Sequence, residues 1–248
     1  MLAAIRDLIV LNWQRFTNSR AFMIMARPVL ILLITLNSVF TRERMSHENG
    51  LTVRGQVRIK DDLDLPTNRF FKPGETHQCR LRHASVSFMD DAALVVRAAS
   101  IKFADENIRS PFDMLMNNGN TTPFWNMDTF WQFMRYRMKG GRAHLIDYFR
   151  RNPRCYMNVR DAVRRDPDSF ANLFYYSQIP IAFHADDKQE RYVKFRLIPA
   201  DHDEEFDGKP SDEDLRKPWF QEAVSNEARD RNYLKDEYRP GPTFAYIR

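Results

Sequence analysis

A change of hydrophobic period at His47 limits the fold more than any other feature of the chain. Upstream, residues 21–40 read "AFMIMARPVLILLITLNSVF", apolar at almost every position, whereas "LTVRGQVRI" downstream alternates polar and apolar residues. An apolar run of that kind suits a helix, and a period of two is what a strand with one buried face requires. Further segments of this kind predict strands over 51–60, 78–89, 93–104, 112–117, 178–186 and 190–198. The last two form a hairpin, because "ADDKQE" supplies the turn residues while "IPIAF" and "RYVKFRLI" supply β-branched and aromatic faces. Helical or irregular stretches such as "DTFWQFMRYRM" and "NVRDAVRRDPDSFANLFYYSQ" separate the strand groups. The strands cluster and do not alternate with helices, so the fold class is α+β.

The apolar amino-terminal segment is interrupted by Arg27 and Pro28, and its unbroken run from Val29 to Leu36 is eight residues. A membrane span needs about 20. Pro28 suits the first turn of a helix, where its missing N–H costs nothing, so a helix over 28–43 packed on the domain is expected. Residues 1–27 then form an amphipathic lead, and residues 28–248 one domain.

With 43% apolar residues in 248, the chain can bury one core. Its 38 basic and 33 acidic residues leave a net charge of +5, mixed along the sequence, which argues against a nucleic-acid partner. An acidic small molecule or peripheral contact with an anionic membrane surface fits that charge better. Cys79 and Cys155 have no C-x-x-C spacing, so neither a disulfide framework nor a thiolate metal site is indicated, and a reducing, cytoplasmic location is expected. G-x-G-x-x-G, P-loop, H-E-x-x-H and G-x-S-x-G motifs are absent. The metal-ligand types in "HADD" and "DHDEE" belong to densely charged, turn-like segments and read as solvated loops.

One ordered series of blocks is specific when taken together. It runs "RMSHENGLTVRG", "DLPTNRFFKPGE", "LRHASVSFMDDAALVVRAASIKFAD", "SPFDMLMNNG", "PFWN", "DPDSFANLFYYSQIPIAF" and "RYVKFRLIPAD". In order and spacing the series resembles the catalase-related haem proteins, most closely the catalase-type allene oxide synthases that occur fused to lipoxygenases. The resemblance implies a catalase-like antiparallel β-barrel with surrounding helices and haem b as cofactor. By the same resemblance His47 is the distal histidine, Asn117 the distal asparagine that donates to peroxide oxygens, and Arg44 and Arg97 partners of the haem propionates. Phe130 falls near the residue packed on a pyrrole edge, and Gly50 and Gly55 match glycines where the strand nears the porphyrin. Ser46 keeps a hydroxyl where the allene oxide synthases have threonine and true catalases have valine, which favours a fatty-acid hydroperoxide over hydrogen peroxide.

These residue types suit the chemistry in their own right. Cleaving an O–O bond needs one group to orient the hydroperoxide and one donor for the departing oxygen. Haem carboxylates need cations, which arginine provides bidentately. The family's proximal tyrosine, in an R-x-x-x-Y helix, falls downstream of the block matched by "GPTFAYIR", and Tyr233, Tyr238 and Tyr246 match other parts of the fold. The resemblance therefore implies a barrel incomplete at its carboxyl end and no iron ligand among these residues. Three functions stay open: a haem enzyme acting on fatty-acid hydroperoxide, with a lipoxygenase domain or partner; a catalase-like peroxidase; and a non-catalytic remnant.

Overall fold

The computed structural model describes residues 2–17, 19–42, 47, 50–62, 66–85, 95–104, 110–138, 142–164, 169–200, 209 and 245–247. They fall into two units, one of residues 1–45 and 123–157, the other of residues 46–122 and 158–248.

The first unit holds α1 (Leu2–Thr17), α2 (Arg20–Thr41), α3 (Met127–Met138) and α4 (Arg142–Arg151), and the chain leaves it within α5 (Pro153–Ala162). The helix expected over 28–43 begins earlier. Ser19 caps α2, its Oγ accepting the Phe22 N–H at 3.1 Å, and the helix then runs through Arg27 and Pro28 without a break. A serine cap satisfies a donor that would otherwise be orphaned, and this start signal outweighs the proline that the sequence places at the first turn. Nor is the apolar run packed as expected: Leu32 is 57% exposed and Phe40 81%. At the start of α3, Asn126 Oδ1 accepts the Thr129 N–H at 2.9 Å. Tyr148 of α4 is buried against Phe133 and Tyr136 and donates to the Thr129 carbonyl at 3.3 Å. Burial raises the pKa of the Tyr148 phenol and of the Cys155 thiol, so both stay protonated.

The second unit is built on β1 (Gly50–Arg58), β2 (Thr76–Ser85), β3 (Val95–Lys102), β4 (Asp113–Asn117), β5 (Val163–Arg164), β6 (Tyr175–Tyr176), β7 (Ile181–His184), β8 (Glu190–Val193), β9 (Arg196–Pro199) and β10 (Ala245–Ile247). The main sheet has the order β1-β2-β3-β4-β6-β9-β10, with β5 paired to β3; every pairing is antiparallel, and the sheet curls as a half-barrel. The expected hairpin is present as β7 and β8, a separate two-stranded sheet. The strand expected over 190–198 is divided, however. The Phe195 N–H donates to Ser177 Oγ at 3.1 Å and the Ser177 N–H to the Phe195 carbonyl at 2.9 Å, which ties the chain beside β6 and sends β9 into the main sheet.

Alternation along the strands separates two faces. Ala99, Ile101, Met114, Met116, Tyr175 and Leu197 share the core face, closed by Phe103, Phe195 and the partly buried Phe70, Phe71 and Phe112. Each large apolar side chain buried there contributes about 1.5–3 kcal/mol. The opposite face carries Thr52, Arg82 and Ser100 in one register row and Arg54, Arg80 and Lys102 in another.

Candidate functional site

The register lines up one further row on that opposite face. Gly50 pairs with Ala84, Ala84 with Ala98, Ala98 with Asn117, and Asn117 with Tyr176. Partners across a ladder share a face, so three consecutive positions offer nothing larger than a methyl group beside the Asn117 amide. Ala84 and Ala98 are buried and Asn117 is half-buried.

His47 stands just ahead of this row, half-buried, with a left-handed φ of 57°. Its carbonyl accepts a hydrogen bond from Arg82 Nη2 at 2.6 Å. Arg82 reaches it across Gly50, and the missing side chain there is a requirement of space. A Cβ at Gly50 would lie 2.4 Å from Arg82 Nη2 and 2.7 Å from the His83 carbonyl oxygen. Gly55 is different: a Cβ there would meet only Cys79 Sγ, at 3.8 Å, so neither turn nor close approach demands glycine.

The adjacent asparagines divide their work. Asn118 is fully buried; its Oδ1 accepts the Arg97 N–H at 3.0 Å and its Nδ2 donates to the Phe174 carbonyl at 3.0 Å, while Gln178 Nε2 donates to the Asn118 carbonyl at 3.1 Å. Asn118 thus fastens the end of β4 to the segment that leads into β6. The Asn117 amide enters none of these bonds and lies on the row's face.

Arg97 does not join His47 and Asn117. It precedes Ala98 on β3, so strand parity turns its side chain to the core side. There it is fully buried, donates to the carbonyls of Val95 (3.2 Å) and Arg164 (2.7 Å), and holds its guanidinium 5.4 Å above the Phe170 ring. His83 shares that side, 6.0 Å from Phe170 and 5.3 Å from Tyr175 between ring centroids. Burial lowers the His83 pKa to about 3, so its imidazole stays neutral and does no proton transfer near neutral pH. Phe130, on α3 in the other unit, is 37% exposed beside Phe124 and Trp131. Arg44 and Ser46 lie outside the described residues, as do residues 201–205 of "DHDEE". In "HADD", Asp187 accepts from Arg191 within the hairpin, and Asp186 accepts from Thr67, 119 residues earlier in the chain.

The sequence reading passed over Arg82 and the small-residue row. Arg82 was visible inside the block "LRHA", two residues before Ala84, but only the register shows that it shares a face with Asn117.

No family model matches the chain. It is 38% identical over 198 residues, 79% of its length, to the allene oxide synthase-lipoxygenase protein of Plexaura homomalla, and 23% identical over 220 residues, 84% of its length, to the linolenate 9R-lipoxygenase of Nostoc sp.. The fold matches a fungal catalase with a TM-score of 0.59 at 21% identity, over 82% of this chain and 42% of that one. The chain belongs to the catalase-related proteins. It spans 18% and 28% of the length of the two curated relatives. The blocks that carry the catalase-related resemblance become structural here: "GLTVRG" of the first block opens β1, "LRHA" lies in β2, and "LFYYSQ" contains β6.

Proposed function

We propose that the chain is part of a haem-dependent enzyme that converts a polyunsaturated fatty-acid hydroperoxide into an allene oxide, and that the His47 and Asn117 face orients the hydroperoxide. The observation that carries this reading is the row Gly50, Ala84 and Ala98, closed by Asn117 and headed by His47. A flat macrocycle approaches a strand closely only where side chains are short. Arg82, on the same face, supplies a cation for carboxylates, and by its position it is a better propionate partner than Arg97. The residues of this face therefore fit haem; the iron ligand of the other side is assigned to none of them. Haem, when bound, supplies the iron chemistry that breaks the peroxide O–O bond. His47 takes the hydroperoxide proton and returns it to the departing oxygen, the Asn117 amide donates to that oxygen, and the substrate loses one water overall. Ser46 would restrain His47, and the hydroperoxide would come from a lipoxygenase, fused or separate.

The catalases among the matching structures favour a second reading, hydrogen-peroxide turnover. Titration with haem of the longer protein of which this chain is proposed to be part, followed by either peroxide, separates the possibilities. The expected outcome is a Soret band that Arg82→Ala weakens and allene-oxide hydrolysis products from the organic hydroperoxide, reduced on the order of 10²-fold in His47→Ala. Dioxygen from hydrogen peroxide would establish the second reading. No haem uptake would leave the non-catalytic one.

A further inference from the structure

We propose that α1 and α2 anchor the chain to an anionic lipid bilayer, with α2 immersed in the apolar layer. The inference stands on residues that the hydroperoxide reading does not use. Ile31, Leu32, Leu33 and Ile34 are consecutive on α2 and all exposed, between 46% and 57%. Successive helical residues point about 100° apart, so four in a row sample every side of the helix. A protein partner docking on one face would leave the others in water, whereas lipid covers them all. Length agrees with this. The 22 residues of α2 make a rod of about 33 Å, against roughly 30 Å of bilayer hydrocarbon, and its most apolar 18-residue window has a mean hydropathy of 1.9, with none of that window buried in the protein.

Charge names the kind of lipid. Residues 1–42 contain five arginines, at 6, 15, 20, 27 and 42, against the single acidic residue Asp7. Arg20 and Arg42 bracket α2, and the flexible stem of Arg27 can carry its charge back toward the Arg20 end. At the turn between the helices Trp13, Phe16 and Phe22 form a ring cluster, with centroids 6.0 and 5.2 Å apart, and Arg15 and Arg20 belong to the same stretch of sequence. Aromatic rings and arginines together suit the headgroup level of a membrane with negative lipids.

Flotation of the full chain with phosphatidylcholine vesicles, with and without phosphatidylserine, tests the proposal without any catalytic readout. The chain is expected to float with both and more completely with phosphatidylserine present. Leu32→Asp with Leu33→Asp, at exposed positions that leave the core intact, should reduce flotation more than 100-fold, with the far-ultraviolet circular dichroism of the sheet unit retained as the check on folding. Arg15→Gln with Arg20→Gln should weaken binding on the order of 30-fold on phosphatidylserine vesicles and leave phosphatidylcholine binding unchanged. Failure of the chain to float, or unaltered flotation of the aspartate variant, would overturn the anchor. So would a switch from dimer to monomer in that variant without lipid binding, since a second copy would then be the cover. Recovery from cells of a chain cleaved after α2 would overturn it too, making α2 a targeting segment. A chain that floats, while the longer haem-loaded protein turns over no hydroperoxide, would leave the anchor standing and sink only the catalytic reading.

Discussion

Arg82 and Arg97 lie on neighbouring strands of one sheet and end on opposite faces of it. Arg82 is half-buried, crosses the gap left by Gly50 and holds the His47 carbonyl at 2.6 Å. Arg97 is fully buried, holds the Val95 and Arg164 carbonyls, and lies over Phe170. One residue type thus does two jobs, and strand parity with burial decides which. Arg97 fastens β3 to β5, whereas Arg82 shapes the entrance to the small-residue row.

The largest expected effect follows from that difference. Arg97→Ala removes a large buried side chain and its bonds to two carbonyls, and should cost about 3–5 kcal/mol. Arg82→Ala removes the bond to the His47 carbonyl from a half-buried position and should cost less, about 1–2 kcal/mol. Urea unfolding of the two variants checks both, and equal losses would break the comparison.

Acidity tests the core face next. Folded His83 takes a proton only near pH 3, whereas an unfolded histidine takes one near 6.5. Between those values the unfolded state binds the extra proton, so the contribution of neutral His83 is complete above pH 6.5 and is lost as pH falls. The slope is about 1.4 kcal/mol per pH unit, or about 2 kcal/mol by pH 5. Unfolding curves of the parent and of His83→Phe should diverge in this window, the variant losing the part of the acid sensitivity that His83 supplies. Identical pH profiles would mean that His83 is not held neutral by burial.

Gly50→Ala bears on the other face. A methyl group there meets the Arg82 guanidinium, which can move, and the His83 carbonyl oxygen, which belongs to the sheet. The expected cost is about 1–2 kcal/mol of stability. The same change at Gly55 meets only Cys79 Sγ at van der Waals distance and should be close to neutral. If the two variants unfold alike, Gly50 is not the gap through which Arg82 passes.

Much of the sheet was legible because one face is buried and the other is not: the alternation in "LTVRGQVRI" survives as β1, and each of the six expected strand segments contains a strand. The two-residue strands β5 and β6 were not legible, since a ladder two residues long leaves no periodic signature and is set by its partners. Neither was the split between β8 and β9, which depends on the Ser177 and Phe195 bonds across 18 residues of sequence. The same limit explains the arginines. "LRHA" and "LVVR" both display one, and only the pairing of Ala84 with Ala98 and of Ala98 with Asn117 tells which arginine lies on the face of Asn117. In α2 the composition was plain, but Pro28 drew attention from Ser19, eight residues of helix earlier.

A small effect on stability is expected at Asn117 as well, and it sharpens the comparison most. Its neighbour Asn118 is committed to the Arg97 N–H and the Phe174 carbonyl, bonds that the fold needs. Asn117 takes part in neither and is half-buried on the face of Gly50, Ala84 and Ala98. Asn117→Ala should therefore change unfolding free energy by no more than about 0.5 kcal/mol. If its amide donates to the departing peroxide oxygen, as proposed, the same change should lower hydroperoxide cleavage on the order of 10²-fold in the haem-loaded protein, with kcat falling and KM nearly constant. Asn117→Asp keeps the size but brings a carboxylate to that oxygen, and should be no better than alanine. A variant that loses stability while cleavage is spared would place Asn117 with Asn118 as a fastener, and the division between the two faces would then end one residue earlier than the register indicates.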